Sequence, residues 1–103
     1  MQPTFVVLYR WKLHAGAEDD FVEAWSCISA KLRDERGSLG SRLHHGSDGI
    51  WYSYAQWPDV QQREKAFAMG TVDSEAALRM RQAIAEELPE LVLDMKADFI
   101  RKL

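Results

Sequence analysis

The chain has 103 residues and a mass of 11.8 kDa, the size of one compact domain, which leaves little room for a second hydrophobic core. Its 13 basic and 16 acidic side chains give a net charge of −3 and are spread along the chain, so neither nucleic acid nor a membrane is an expected partner. The single cysteine, Cys27, excludes an intrachain disulfide and a cysteine-based zinc cluster, and we therefore expect self-association to add stability. The N-terminus lacks a signal-peptide pattern, which predicts a cytoplasmic protein.

The first predicted elements are a strand and a helix. Residues 4–14 alternate β-branched and aromatic side chains with other types, which predicts a long strand. One face of this strand carries Phe5, Val7, Tyr9, Trp11 and Leu13. From about residue 18 to 36, apolar side chains recur at spacings of three and four after an acidic first turn, which predicts a helix that ends at Gly37.

A β-hairpin is predicted in the middle of the chain. Asp48-Gly49 is typical of a two-residue hairpin turn, and the run Ile50–Trp57 after it is rich in aromatic residues. The segment Leu39–Gly46 before the turn alternates less regularly. We expect the two segments to form antiparallel strands joined at this turn.

Two further helices and a fourth strand complete the predicted order. Pro58 and Asp59 mark the start of a helix that runs to Gly70. A second helix is expected over residues 73–87, with Pro89 as its end. Residues 91–100 alternate in the manner of a strand.

The order of these elements predicts an α+β, ferredoxin-like βαββααβ domain that spans residues 1–103. Right-handed crossovers place the helices on one face of a four-stranded antiparallel sheet. The other face would then expose an apolar set that favours a homodimer formed face to face through the sheets: Val6, Leu8, Tyr52, Tyr54, Val92 and Ile100. The alternative is an ordinary solvent face, because Arg10, Lys12, Gln56 and Lys96 share it.

Aromatic residues concentrate in the first and third strands, where small residues lie among them. This mixture leaves space for a flat aromatic ligand between the sheet and the helices, although the rings would also serve as ordinary core. Ser53, Ala55 and Ala66 are the small residues concerned. His44 and His45 are adjacent in a strand and point to opposite faces, so they cannot chelate one metal together, and no metal site is expected.

Several segments resemble the antibiotic biosynthesis monooxygenase family of dimeric α+β barrels. They are Tyr54-Ala55-Gln56-Trp57 with Phe67 downstream, His14-Ala15-Gly16, and Gly37-Ser38-Leu39-Gly40. The first of these is similar to the members that oxidise anthrones in polyketide pathways. The resemblance implies a ferredoxin-like fold, dimerisation through the sheets, and oxidation of a phenolic substrate by dioxygen without a metal or flavin cofactor.

The resemblance also implies a set of site residues. Trp57 matches the pocket tryptophan of the anthrone-oxidising branch, and Arg79 matches its arginine, with Arg81 as the alternative. Ser53 falls where that branch has an asparagine, and Arg63 where it has a tyrosine.

A cofactor-independent oxygenation needs a base, a cation and a dry pocket. We expect Arg63 and Arg79 to hold the substrate oxyanion, Ser53 to donate a hydrogen bond, and Trp57 and Tyr9 to stack on the ring. The sequence offers no clear general base. The alternatives are therefore a non-catalytic small-molecule-binding module, or an isomerase or cyclase of the same superfamily.

Overall fold

A four-stranded antiparallel sheet and three helices make up the computed structural model, which describes residues 5–103. The elements are β1 (Phe5–Leu13), α1 (Glu18–Glu35), β2 (Gly40–His45), β3 (Trp51–Trp57), α2 (Val60–Ala68), α3 (Ser74–Ala83) and β4 (Ile84–Asp94). The strand order β2-β3-β1-β4 confirms the ferredoxin-like βαββααβ fold. Thr4, the first residue of the predicted strand, lies outside the described residues. None of the described helices has the length and apolar character needed to cross a membrane.

The helices begin where the sequence places their capping residues. Asp59 precedes α2, and its carboxylate accepts a hydrogen bond from the Gln62 backbone nitrogen at 2.8 Å. Asp73 does the same for α3 through the nitrogen of Ala76 at 3.0 Å. At the end of α1, Gly37 adopts a φ of +81°, a conformation that favours glycine. The chain can therefore reverse direction there and enter β2.

The hairpin between β2 and β3 has a loop of three residues, rather than the two predicted. The Gly46 nitrogen donates to the Ile50 carbonyl at 2.7 Å, so residues 47–49 form the loop. Gly49 has a φ of +83°, which is typical of the last position in such a loop. The resulting register places His45 opposite Trp51 and Ser41 opposite Ala55.

The last helix is shorter than predicted, and the last strand begins earlier. The predicted helix over residues 73–87 is wrong beyond Ala83, and β4 occupies Ile84–Asp94 in place of residues 91–100. Pro89 lies inside β4 at a bulge, where two residues of β4 oppose one of β1 between the Leu88 and Leu91 pairs. A proline is tolerated there because β4 is an edge strand and a bulge residue needs no ladder hydrogen bond.

This earlier start changes which side of the sheet the β4 residues occupy. Val92 pairs with Val7, so it lies on the helix side, and the prediction that it faces the open side is wrong. Leu91 and Leu93 occupy the open face instead, and Ile100 lies beyond the end of β4. The open face is therefore still apolar, but its β4 members differ from those predicted. Val6, which was expected to be exposed on this face, is only 2% exposed.

Two buried clusters join the helices to the same face of the sheet. The first contains Val7, Trp57 and Ala66, and the second contains Trp11, Phe21 and Ala83. Trp57 and Phe21 are among the largest fully buried side chains. Burial of these side chains stabilises the helices on one face of the sheet. The space left beside Trp11 and Trp57 forms the candidate site.

Candidate functional site

A cavity of about 330 Å³ lies between the sheet and the helices. Its walls come from all four strands and all three helices, and they are mostly apolar with a few polar groups, as in many small-molecule sites. The lining residues that matter below are Tyr9, Trp25, Ser53, Trp57, Arg81 and Glu87. The sequence-predicted residues Tyr9, Ser53 and Trp57 are thus brought together by the fold.

The floor of the cavity is formed by neighbouring residues of β1 and β3. Tyr9 and Trp11 are stacked on β1, with ring centroids 5.8 Å apart and planes 4° apart. Ser53 lies opposite Tyr9 in the sheet, and Ala55 follows on the same face of β3. These two small side chains leave open the volume that larger residues would fill. The floor therefore combines flat rings with room for another ring.

Ser53 is buried and bound to the helix layer. Its side chain is only 2% exposed, and its hydroxyl accepts a hydrogen bond from the indole nitrogen of Trp25 at 3.0 Å. A serine hydroxyl can accept and donate at once, so its own proton is available to a ligand. Ser53 can therefore supply one hydrogen bond in the cavity, as the sequence analysis expects.

Trp57 lines the cavity and has a donor without a hydrogen-bond partner in the described residues. It is 1% exposed and packs edge-on against Phe67, with ring centroids 5.8 Å apart. Its indole nitrogen is buried and has no hydrogen-bond partner among the described residues. Unpaired buried donors are rare and costly, and water does not reach this nitrogen, so a ligand in the cavity would contact it only if the surrounding side chains moved.

Arg63 reaches the site through Tyr9 and does not itself line the cavity. Its guanidinium donates to the Tyr9 hydroxyl at 2.9 Å and contacts the carboxylate of Glu90 at 3.2 Å. It also lies over the ring of Phe67, 4.9 Å from the centroid. Burial raises the pKa of Tyr9, and this effect outweighs the lowering by the hydrogen bond and charge of Arg63. Tyr9 therefore remains a neutral hydrogen-bond donor at the cavity wall.

Arg79 does not share the cavity with Trp57, which corrects the expected placement. Its guanidinium contacts Glu23 at 3.3 Å and Asp20 at 3.7 Å, both on α1. Arg81 lines the cavity instead. Residues two apart on a helix point to nearly opposite sides, so only one of the two arginines can face the sheet. The sequence analysis favoured Arg79, whereas the orientation of α3 places Arg81 at the cavity.

Glu87 is a cavity residue that the sequence analysis missed. The sequence predicts that it ends the helix over residues 73–87, whereas it belongs to β4 and pairs with Trp11. Ile84 and Leu88 are four residues apart and fit a helical stripe, which concealed the strand. Pairing with β1 turns Glu87 toward the helices, and the spacing of apolar residues in the sequence does not reveal this pairing.

The histidines lie away from the cavity. His45 stacks on Trp51, with ring centroids 4.4 Å apart, and His44 pairs with Tyr52 on the opposite face of the sheet. Across residues 5–103, no three His, Cys, Asp or Glu side chains come together in a group that could hold a metal ion.

The chain matches a known family by sequence and several solved structures by fold. The family model for antibiotic biosynthesis monooxygenases matches residues 4–72. No curated protein sequence matches the chain. PA3566 from Pseudomonas aeruginosa is 18% identical with a TM-score of 0.68, and the match covers 94% of this chain and 98% of that one.

Two similar structures come from Streptomyces. SnoaB from Streptomyces nogalater, a cofactor-independent oxygenase, is 14% identical with a TM-score of 0.77, and the match covers 97% of this chain and 100% of that one. A monooxygenase from the gene ActVA-Orf6 of Streptomyces coelicolor, in complex with the ligand nanaomycin D, is 16% identical with a TM-score of 0.74, covering 97% and 94%. At these identities the structures show only a shared fold, whereas the match to the family model shows family membership. The chain belongs to the antibiotic biosynthesis monooxygenase family.

Proposed function

We propose that the protein is a cofactor-independent monooxygenase that oxidises a small aromatic or polyketide-like phenolic substrate with dioxygen. The observation that carries this proposal is the cavity of about 330 Å³, which has aromatic walls and a few polar groups. Support comes from the family and from two structures of the same fold, one a cofactor-independent oxygenase and the other a monooxygenase bound to nanaomycin D.

The reaction balances without an added electron donor. A methylene group activated by phenolic rings loses a proton, and the resulting anion reduces dioxygen and bonds to it. The peroxide anion takes up the proton, and the hydroperoxide then loses water to leave a carbonyl group. Overall, one methylene group and one dioxygen molecule give one carbonyl group and one water. The protein must therefore bind the ring, accept a proton and stabilise an anion.

The residues of the cavity fit these roles. Trp57 and Tyr9 would bind the ring through its face and edge, and Ser53 would donate to a substrate oxygen. Arg81, which lines the cavity, would stabilise the oxyanion in the role first given to Arg79. Arg63 would act through the Tyr9 hydroxyl, to which it donates.

We also infer that two copies associate through the open face of the sheet. Leu91 is 43% exposed and Leu93 is 38% exposed, and both share this face with Leu8. Tyr54 of β3 pairs with Leu8 and extends the apolar surface toward β2. A contiguous apolar surface on a domain of this size favours an interface over exposure to water.

Oxygen consumption with a small anthrone tests the proposed function. The expected result is one dioxygen consumed for each carbonyl product, with oxygen from labelled dioxygen in the product and no reaction under anaerobic conditions. The rate without protein provides the control for autoxidation. A ligand-induced rise in melting temperature without turnover would favour a binding protein, and conversion without oxygen would favour an isomerase or cyclase.

A further inference from the structure

We infer that Glu87 is the general base of the cavity, the group that takes the phenolic or carbon-bound proton of the substrate. The inference rests on the proposed function and supplies the base that the sequence does not reveal. The first observation is the pairing register of β4 with β1. Glu87 pairs with Trp11, so both lie on the helix side of the sheet, and Glu87 lines the cavity.

The neighbouring carboxylates of β4 are already engaged. Glu86 pairs with Lys12 on the open side of the sheet, and the Lys12 ammonium lies 3.6 Å from its carboxylate. Both oxygens of Glu90 accept hydrogen bonds from Arg63 at 3.2 Å. Glu87 has no hydrogen bond or ion pair within residues 5–103. It is therefore the β4 carboxylate free to accept a proton inside the cavity.

The surroundings of Glu87 suit proton abstraction. Tyr9 of β1 and Arg81 of α3 line the same cavity, and Arg63 of α2 and Glu90 lie beyond the Tyr9 hydroxyl. In the proposed step, the substrate O–H or C–H bond breaks and the proton goes to a Glu87 oxygen. The electron pair stays on the substrate, where Arg81 stabilises the charge. Because Glu87 is exposed at the cavity edge, the proton can pass on to water.

Two adjacent variants test this role with a matched control. Glu87→Gln keeps the shape and removes the base, so we expect kcat to fall by roughly a hundredfold or more. Glu86→Gln removes the same charge one residue away on the opposite side of the sheet, and it should leave kcat unchanged. Retention of kcat in Glu87→Gln would overturn the inference.

A bound dye gives a readout that does not depend on turnover. A monohydroxyanthraquinone changes its visible absorption when its phenol ionises, and a nearby carboxylate disfavours the phenolate. Glu87→Gln should therefore lower the apparent pKa of the bound dye, whereas Glu86→Gln should match the unmodified protein. If the protein consumes no oxygen with any anthrone, the proposed function fails. The dye then decides the inference separately, because an unchanged titration in Glu87→Gln would remove Glu87 from the ligand site.

Discussion

The indole nitrogen of Trp25 donates to the hydroxyl of Ser53 at 3.0 Å, and this bond connects α1 to β3 at the wall of the cavity. Both partners line the cavity, and Ser53 is buried. A polar contact in such a position fixes the distance between the helix and the sheet and keeps the serine oxygen in place. The same bond thus contributes to stability and orients a candidate ligand donor.

Ser53→Ala should destabilise the fold, because it leaves the Trp25 donor without a partner. The expected loss is about 1–3 kcal/mol in the free energy of unfolding, measured by urea denaturation. Ser41→Ala provides the control, since Ser41 also lines the cavity but no hydrogen bond of its hydroxyl is found in the described part of the chain. Equal stabilities of the two variants would show that the Trp25 bond contributes nothing.

Arg81→Gln and Arg79→Gln should separate the two arginines of α3. Loss of the cavity charge in Arg81→Gln should lower kcat for an anthrone by roughly a hundredfold, because a substrate oxyanion loses its cation. Arg79→Gln removes contacts to Asp20 and Glu23 outside the cavity, so kcat should be unchanged. The opposite ranking would assign the oxyanion to Arg79.

Tyr9→Phe should flatten the fall in stability at high pH. Burial raises the pKa of Tyr9, so the folded protein holds this proton at a pH where an unfolded tyrosine has lost it. The stabilisation is complete below about pH 10, the usual tyrosine value, and is lost as the pH rises through the folded pKa. Urea unfolding between about pH 8 and about pH 11 should therefore show a steeper loss in the unmodified protein than in Tyr9→Phe. Parallel curves would contradict the prediction.

Substitutions at Trp57 should separate packing from ligand binding. Trp57→Ala removes a fully buried ring and should cost about 3–5 kcal/mol of unfolding free energy. Trp57→Phe keeps an aromatic ring and removes a nitrogen that has no partner in the described residues, so its cost should be smaller. If that nitrogen donates to the ligand, Trp57→Phe weakens binding of a hydroxyanthraquinone roughly fivefold, as loss of one neutral hydrogen bond would. Fluorescence titration measures the affinity, and unchanged binding would exclude the contact.

Tyr54→Glu should dissociate the proposed dimer. The substitution places a carboxylate beside Leu8 on the open face of the sheet, where a second copy would deprive it of water. Light scattering at micromolar concentration should give the mass of two chains for the unmodified protein and of one chain for the variant. Gln61→Glu adds the same charge at an exposed position of α2 and should remain dimeric. A one-chain mass for the unmodified protein would rule out the interface.

The amino-acid sequence by itself determined the fold and the floor of the candidate site. Alternation along β1 and β3 placed Tyr9, Ser53 and Trp57 on one face, because side chains of a strand point to opposite faces in turn. Helix caps and turn residues such as Asp59 and Gly49 are local signals, so they could be interpreted without knowledge of distant contacts.

Tertiary structure alone decided where α3 ends and β4 begins. The apolar spacing of residues 84–88 is compatible with a helix and with a strand. Pairing with β1 selects the strand, because the backbone groups of these residues then form hydrogen bonds with β1. That choice brings Glu87 into the cavity and moves Val92 to the helix side. The packing of α3 against α1 likewise turns Arg79 toward Glu23 and leaves Arg81 for the cavity. The spacing of apolar residues indicates only the local secondary structure. The orientation of Glu87, Arg79 and Arg81 depends on contacts between residues that are far apart in sequence.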